Sequence, residues 1–412
     1  MKILHLSYKD DQEGAAIAAD RLCESLVKNK IDSKILVQKK VSDKPYSFSI
    51  ANTNFKKIKA FFRIGFDLII NRMFVRNRNV YYTLPFIGTD ISKHPLVNEA
   101  DIIHIHWINR GYLSIDSIEK LLKLNKPIVW TLHDSWSMTG GCHMMNECVQ
   151  YEDGCKNCDM LRIKSFANYF QTKKQKVFNA DNLHFIAPSA WTKNKAKKSQ
   201  ILRNKDITIL PNCVDTNVFK RINKMVAREV FSLPKNKKIV LFYISNDPRK
   251  GGEYIYNTIK YFHNNVDKDV LFVGFGTSDL SSTLYKDLDI INVGRINDKY
   301  SMSILYNSAD VLLAPALEEP FGQTYIEAMA VGTPCVAFAY SGPLDIIEHK
   351  QDGYLATLGN ESDVIDGVKF CLDNSQFLEN KAIEKVRENF SFYAVAKMFN
   401  EYYKTLIPMK LK

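Results

Sequence analysis

Glu318-Glu319-Pro320-Phe321-Gly322-Gln323-Thr324-Tyr325-Ile326-Glu327-Ala328-Met329-Ala330 is the stretch that decides the fold. An apolar run, Val311-Leu312-Leu313-Ala314-Pro315, leads into it, and a second, Pro334-Cys335-Val336-Ala337-Phe338, leads out. Thr324 to Val331 has helical composition, and Gly332-Thr333-Pro334 stops it as a C-terminal glycine and a following proline do. The order is strand, loop, helix, strand. Glu319 to Gly322 therefore lie at the carboxyl end of a strand and the amino end of a helix. Backbone N–H groups and the helix dipole there favour an anion such as a phosphate. Gly322 leaves the backbone open to close approach. Glu319 falls in the loop and Glu327 about a turn into the helix, places from which carboxylates can hold sugar or ribose hydroxyls. An ordinary buried βαβ unit with two surface glutamates has the same spacing.

Upstream, Lys238 to Ile244 reads as a strand running into Ser245-Asn246-Asp247-Pro248-Arg249-Lys250-Gly251-Gly252, with a helix from about Gly252 to His263. Lys250 and the open backbone at Gly251-Gly252 suit a diphosphate, and Arg249 could reach it from another angle. A solvated basic turn is the plainer reading. Val270–Gly274 and Ile290–Gly294 are further strands. Asp287-Leu288-Asp289 precedes its strand, so it reads as a turn, and no metal is expected for catalysis. Downstream, Ser341 and Gly342 are candidate phosphate contacts, and Phe392 to Leu406 is an amphipathic helix.

The first half repeats the alternation. Met1 to Ser7 is a strand, Tyr8 to Gly14 a loop, and Ala15 to Lys28 a helix with Ala16, Ala19, Leu22 and Leu26 on one stripe. Gly14 is the loop's lone glycine, either a ligand contact or a tight turn; the three-glycine dinucleotide fingerprint is missing. Ile31 to Gln38 is the next strand. An amphipathic piece from Ile58 to Val75 reads as a core-facing helix, or as one lying on a membrane surface. In the strand Asp101 to Trp107, His104 and His106 share a face, as metal ligands or as satisfied histidines. The strand Ile128 to Asp134 delivers His133 and Asp134 to its carboxyl end, where open α/β sheets bind ligands. Asp134 is expected to hold one ring nitrogen of His133.

Four of the eight cysteines, Cys142, Cys148, Cys155 and Cys158, fall within seventeen residues. The two-residue gap of Cys155-Lys156-Asn157-Cys158 lets two thiolates meet one metal, and four soft ligands suggest structural zinc. Unpaired buried thiols or disulfides are the alternatives.

With 412 residues the chain exceeds what one core serves, so two domains are expected. The opening residues reach Lys9-Asp10-Asp11 before a secretory core can form, and no apolar run approaches the ~20 residues that span a bilayer. A cytoplasmic protein is expected. Net charge is +11, with basic residues clustered from Lys173 to Lys205, which suits an anionic membrane surface or anionic substrate, or else is a solvated face. No nucleic-acid-binding motif is present.

Glu319, Pro320, Phe321, Gly322, Glu327, Ala328, Met329, Gly332 and Pro334 together resemble the donor site of retaining glycosyltransferases of family 4. The segment Thr131 to Cys158 resembles the colanic-acid and capsule exopolysaccharide subgroup. The resemblance implies a GT-B fold, two doubly wound parallel-sheet domains facing across a cleft. An acceptor-side domain would take residues 1–214 and a donor domain 215–389, with a C-terminal segment 390–412 returning to the first domain. It implies transfer from a nucleoside diphosphate sugar to a glycan or lipid-linked glycan, with His133, Glu319 and Lys250 catalytic. Gly14, Arg249, Lys250, Glu319, Phe321, Gly322, Gln323, Thr324 and Glu327 would bind the donor. Relatives usually carry an arginine five residues before the lysine, where this chain has Ser245. A sugar-nucleotide epimerase of the same architecture, or a zinc-stabilised binding scaffold without activity, are the competing readings.

Overall fold

The computed structural model describes residues 1–76, 81–264 and 269–407. Two compact units emerge, Met1–Pro211 with Ala396–Lys412, and Asn212–Val395. The expected boundary at 214/215 lies three residues past the observed one, and the returning segment begins at 396 rather than 390. The helix Phe392–Leu406 starts in the second unit and ends in the first. Residues 408–412 of that segment lie outside the described residues.

The first unit is built on seven parallel strands: β1 (Lys2–Lys9), β2 (Asp32–Lys39), β3 (Ser47–Ser49), β4 (Ile102–Ile105), β5 (Ile128–Thr131), β6 (Leu183–Ala187) and β7 (Ile207–Ile209). Their order is β3-β2-β1-β4-β5-β6-β7. The order reverses between β1 and β4, where Ile3 pairs Ile102 and His5 pairs His104. The second unit has six parallel strands: β8 (Lys238–Tyr243), β9 (Val270–Phe275), β10 (Ile291–Asn292), β11 (Val311–Leu313), β12 (Cys335–Phe338) and β13 (Gly353–Ala356). Their order is β10-β9-β8-β11-β12-β13, reversing between β8 and β11. In an open α/β sheet the carboxyl ends flanking such a reversal form the ligand crevice.

Both faces of the second sheet are covered. Ile239, Leu241, Leu312 and Cys335 enter one apolar cluster, and Val240, Phe242, Val311 and Val336 enter another. A strand buried on both faces reads as a continuous apolar run, which is why these segments are legible without alternation.

Two expectations are corrected. The helix Asn54–Phe74 does not turn its apolar stripe to the core, since only Ala60 and Asp67 are buried within it. Phe55, Ile58, Phe62, Phe66, Ile69 and Met73, spaced three or four apart, are all exposed, Phe55 at 77%. Nor is the basic stretch 173–205 uniformly a surface. Lys174 is fully buried, its Nζ donating to the carbonyls of Trp136 at 2.5 Å and Thr139 at 3.0 Å. Burial brings its pKa down to about 7.

Candidate active site

In the second unit the loops after β8 and β11 are stitched together at the strand-order reversal. Leu317 N–H donates to the Arg249 carbonyl at 2.7 Å. Gly251, at φ +69, lies so close that an added Cβ would sit 1.9 Å from the Pro315 carbonyl oxygen. This contact, more than the left-handed backbone alone, requires glycine there. It brings Lys250 Nζ to within 2.6 Å of Glu319 Oε2. The Glu319 carboxylate raises the Lys250 pKa, outweighing burial, which acts the other way. The Glu319 backbone is clamped as well: its N–H donates to Ser341 Oγ at 3.1 Å, and its carbonyl accepts from Gly342 N at 2.8 Å. Ser341 and Gly342 thus hold the loop.

The helix after this loop runs Gln323–Ala330, with Gly322 at its N-cap and φ +109. No side chain caps its first turn, so the amides of Gln323 and Thr324 head an uncapped helix start. Glu327 is buried, and Tyr306 donates to its Oε2 at 3.0 Å. The Phe321 ring is also buried and packs edge-on against Phe390 at 5.9 Å. This residue presents backbone, and its ring belongs to the core. Arg249 is held by Asp247, with contacts of 3.1 and 2.5 Å to the two carboxylate oxygens, and among the described residues the cation paired with Glu319 is Lys250. The Asp287–Asp289 segment lies in turns before β10.

In the first unit, Gly14 opens the helix Gly14–Lys28, and a Cβ there would meet nothing within 4 Å. The preceding Glu13 Oε1 accepts from Lys9 at 3.0 Å and from Arg110 at 3.1 Å. The Arg110 guanidinium lies 5.5–5.7 Å from the ring centres of Tyr8, Tyr81 and Trp107. Below this aromatic group, Asp134 does not hold His133, contrary to expectation. Its Oδ2 accepts from His143 Nδ1 at 2.6 Å and from the Trp107 indole at 2.8 Å, and its Oδ1 from Trp136 N at 2.9 Å. Burial pushes the Asp134 pKa up, but these donors outweigh it and leave it below the usual range. His133 Nε2 instead meets His106 Nδ1 at 2.9 Å. Burial lowers the His133 pKa to about 4, so the ring is neutral at pH 7.

Cys142, Cys148, Cys155 and Cys158 line one cavity of about 390 Å³, and none is in a disulfide. Cys142 and Cys158 lie close enough to share a proton, which raises the pKa of Cys142 and lowers that of Cys158. In number and softness the four thiols fit zinc. Their sulfurs are not gathered into a closed cage, however. Among the described residues, the three potential ligands within 4.8 Å of one another are His5, His104 and His106.

Sequence reasoning did not single out Tyr306, Arg110, Trp107 or His143 as site residues. Arg110 and Trp107 flank the expected carboxyl end of β4, which offered a positional signal; Tyr306 offered none.

Comparison with known proteins completes the picture. Residues 13–218 match the family described as Glycosyltransferase Family 4, and residues 223–389 match Glycosyl transferases group 1. The chain belongs to glycosyltransferase family 4. It is an enzyme that transfers sugars, and its fold is GT-B. Over 350 residues it is 25% identical to N-acetyl-alpha-D-glucosaminyl L-malate synthase of Bacillus anthracis, covering 82% of this chain and 84% of that one. It is 23% identical to the putative colanic acid biosynthesis glycosyl transferase WcaC of Escherichia coli, covering 82% and 83%. A 29% identical match to an uncharacterized glycosyltransferase of Methanocaldococcus jannaschii covers 45% of this chain and 50% of that protein. Among solved structures, HepE of Anabaena with UDP-glucose aligns over 98% of this chain and 100% of its own, with TM-score 0.61 and 15% identity. WaaG, a glycosyltransferase involved in lipopolysaccharide biosynthesis, aligns over 99% and 100%, with TM-score 0.63 and 15% identity.

Proposed function

We propose that this chain moves a sugar, with retention at the anomeric carbon, from a nucleoside diphosphate sugar to a glycan or lipid-linked glycan during assembly of a capsule, exopolysaccharide or O-antigen. The observation that carries this reading is the Lys250–Glu319 pair, held 2.6 Å apart at the strand-order reversal of the second sheet. A diphosphate leaving group develops negative charge as the bond from its oxygen to the anomeric carbon breaks. The Lys250 ammonium and the amides at Gln323 and Thr324 meet that charge. The acceptor oxygen bonds to the same carbon, and its proton passes to the departing phosphate. Glu319 holds hydroxyls of the donor sugar. Glu327, braced by Tyr306, takes the ribose hydroxyls. His133 contacts a sugar hydroxyl, and no metal takes part in transfer. The UDP-glucose bound by HepE, and the colanic acid and lipopolysaccharide biosynthesis to which WcaC and WaaG are assigned, support the same reading.

The first unit offers room for the acceptor, which an epimerase would not need. A groove of about 1270 Å³ runs between the ends of β1 to β3 and the helix Asn54–Phe74, lined by Tyr8, Lys39, Lys40, Ser42, Lys56 and Phe61 among others. Lysines and phenylalanines together in its lining, Lys39, Lys40 and Phe48 on the strand side and Lys56 and Phe61 on the helix, suit a molecule with an anionic head and an apolar tail. The same helix supports peripheral docking on an anionic membrane, at its cytoplasmic face. Its apolar stripe is exposed and Lys56, Lys57, Lys59 and Arg72 flank it. Among the described residues no helix is long and apolar enough to cross a membrane. The cysteine quartet is proposed to hold structural zinc, with its thiols drawn together on binding.

The test is a thermal-shift panel of UDP, GDP, ADP and CMP on the wild type and on Lys250→Ala. One nucleoside diphosphate should raise the melting temperature of the wild type and not of the variant. No shift with any of them would overturn the reading and return weight to the scaffold.

A further inference from the structure

Three imidazoles in the first unit form a ribbon, of which the proposed chemistry uses one, His133. His5 Nδ1 lies 2.9 Å from His106 Nε2, and His106 Nδ1 lies 2.9 Å from His133 Nε2. The ring planes differ by only 27° and 25°, with centres 5.1 and 5.2 Å apart. Those separations are what nearly coplanar rings joined edge to edge through a nitrogen–nitrogen hydrogen bond require. His104 is not a link in this ribbon. It stacks on the face of His106 at 4.2 Å, and both its nitrogens meet hydroxyls, of Tyr403 at 2.6 Å and Thr131 at 2.7 Å. Face-to-face stacking aims the lone pairs of His104 and His106 along parallel lines, so His5, His104 and His106 do not converge on a common ion despite their proximity.

Burial lowers the pKa of every ring in the ribbon, His5 to about 3 and His133 to about 4, with His106 well below its ordinary value. All three are neutral at pH 7, and each carries one N–H and one bare nitrogen. Each nitrogen–nitrogen bond needs one proton, so the three tautomers are locked together and the ribbon has two polarities. They differ at the inner end. His5 Nε2 is buried without a hydrogen-bond partner. One polarity leaves an N–H stranded there and the other leaves a lone pair. Stranded buried donors are the rarer and costlier case.

We propose that His5 and His106 are positioning residues that fix the tautomer of His133, leaving its proton on Nδ1 as a hydrogen-bond donor to a sugar oxygen. His5 Nδ1–H donates to His106 Nε2, and His106 Nδ1–H donates to His133 Nε2. The outward nitrogen of His133, which takes no partner among the described residues, is then a donor and not a base. The assignment of the oxygen rests on the reading of His133 as a sugar contact; the tautomer does not.

Long-range proton–nitrogen correlation spectra of the ¹⁵N-labelled full chain, recorded without nucleotide, test it. His133 is identified among nine histidines by the loss of its signals in His133→Gln. Wild type should show Nδ1–H alone for His5, His106 and His133. His106→Phe should turn His133 into a mixture of tautomers, and His106→Asn, whose amide N–H can stand in for Nδ1–H, should restore it. An Nε2–H on His133 in the wild type, an unmoved His133 in His106→Phe, or zinc-dependent shifts of His5 and His106 would each overturn the proposal. Once His133→Gln has assigned it, the wild-type spectrum decides even if the His106 variants do not fold. Failure of the nucleotide panel with the ribbon intact would count against the donor reading alone.

Discussion

Replacing Glu319 by glutamine should make the protein bind a nucleoside diphosphate more tightly while it transfers sugar more slowly. In the structure the Glu319 carboxylate occupies the Lys250 ammonium at 2.6 Å. A phosphate that contacts Lys250 must share it, and lies about 5 Å from the carboxylate. Two unit charges at that distance repel by ~2 kcal/mol at an effective dielectric of about 40, between the surface and bulk values and suited to a lysine that is partly exposed. Glu319→Gln removes the repulsion without changing the size of the side chain. Affinity for the free nucleoside diphosphate should therefore rise by roughly tenfold to thirtyfold. Lys250→Gln should lower it, and the double variant should bind more tightly than Lys250→Gln, because the repulsion leaves with the carboxylate.

Titration calorimetry at two salt concentrations measures this directly, since an electrostatic gain shrinks as salt is raised. Turnover should fall in Glu319→Gln, because the carboxylate that holds the sugar hydroxyls is gone. Unchanged or weaker nucleotide binding in Glu319→Gln, with Lys250 intact, would refute the idea that Lys250 is the phosphate ligand and Glu319 its competitor.

Five further outcomes are expected. Asp67 is buried and burial raises its pKa to about 7. An acid held more tightly protonated in the folded state is most stabilising at low pH, so stability should decline as pH rises from about 4 through about 7, by at most ~4 kcal/mol; denaturant unfolding of Asp67→Asn should lack that decline. Gly251→Ala forces a Cβ against the Pro315 carbonyl at φ +69 and should cost more than ~2 kcal/mol together with nucleotide binding. Gly14→Ala meets open space and should leave melting unchanged, so a loss of activity there would mark a ligand contact. Phe61, Phe62 and Phe66, each more than half exposed, should anchor the chain on anionic vesicles: their joint change to serine should abolish sedimentation with such vesicles, and equal binding of wild type and variant would count against docking. Metal analysis of metal-replete protein should give one zinc per chain, with less than half an equivalent refuting the cysteine site.

The donor loops were legible because their elements are local. The run Val311 to Pro315, the break at Gly322 and the stop at Gly332 lie within a single strand–loop–helix unit, and the helix was observed at Gln323–Ala330. The loop after β8 was legible for the same reason. That Lys250 meets Glu319 was not: the two stand 69 residues apart, and their meeting depends on β8 pairing with β11. The orientation of the helix Asn54–Phe74 was also hidden. Its stripe at Phe55, Ile58, Phe62, Phe66, Ile69 and Met73 has the spacing of a core face, and periodicity states which residues share a face without stating what covers it.

His133 shows the same limit more sharply. The nearest carboxylate in sequence is Asp134, yet successive residues at a strand end point in different directions. Asp134 is drawn to His143 and Trp107, while His133 is met by His106 from β4, 27 residues away, and through it by His5 from β1, a further 101 away. Each of the three histidines sits at or just past a strand of the parallel sheet, and no single motif contains them all. Their alignment follows from the strand order β1-β4-β5 and from the register that sets His5 beside His104. Strand order therefore does more in this domain than bring loops together. It also sets which atom of a histidine at the candidate site carries the proton.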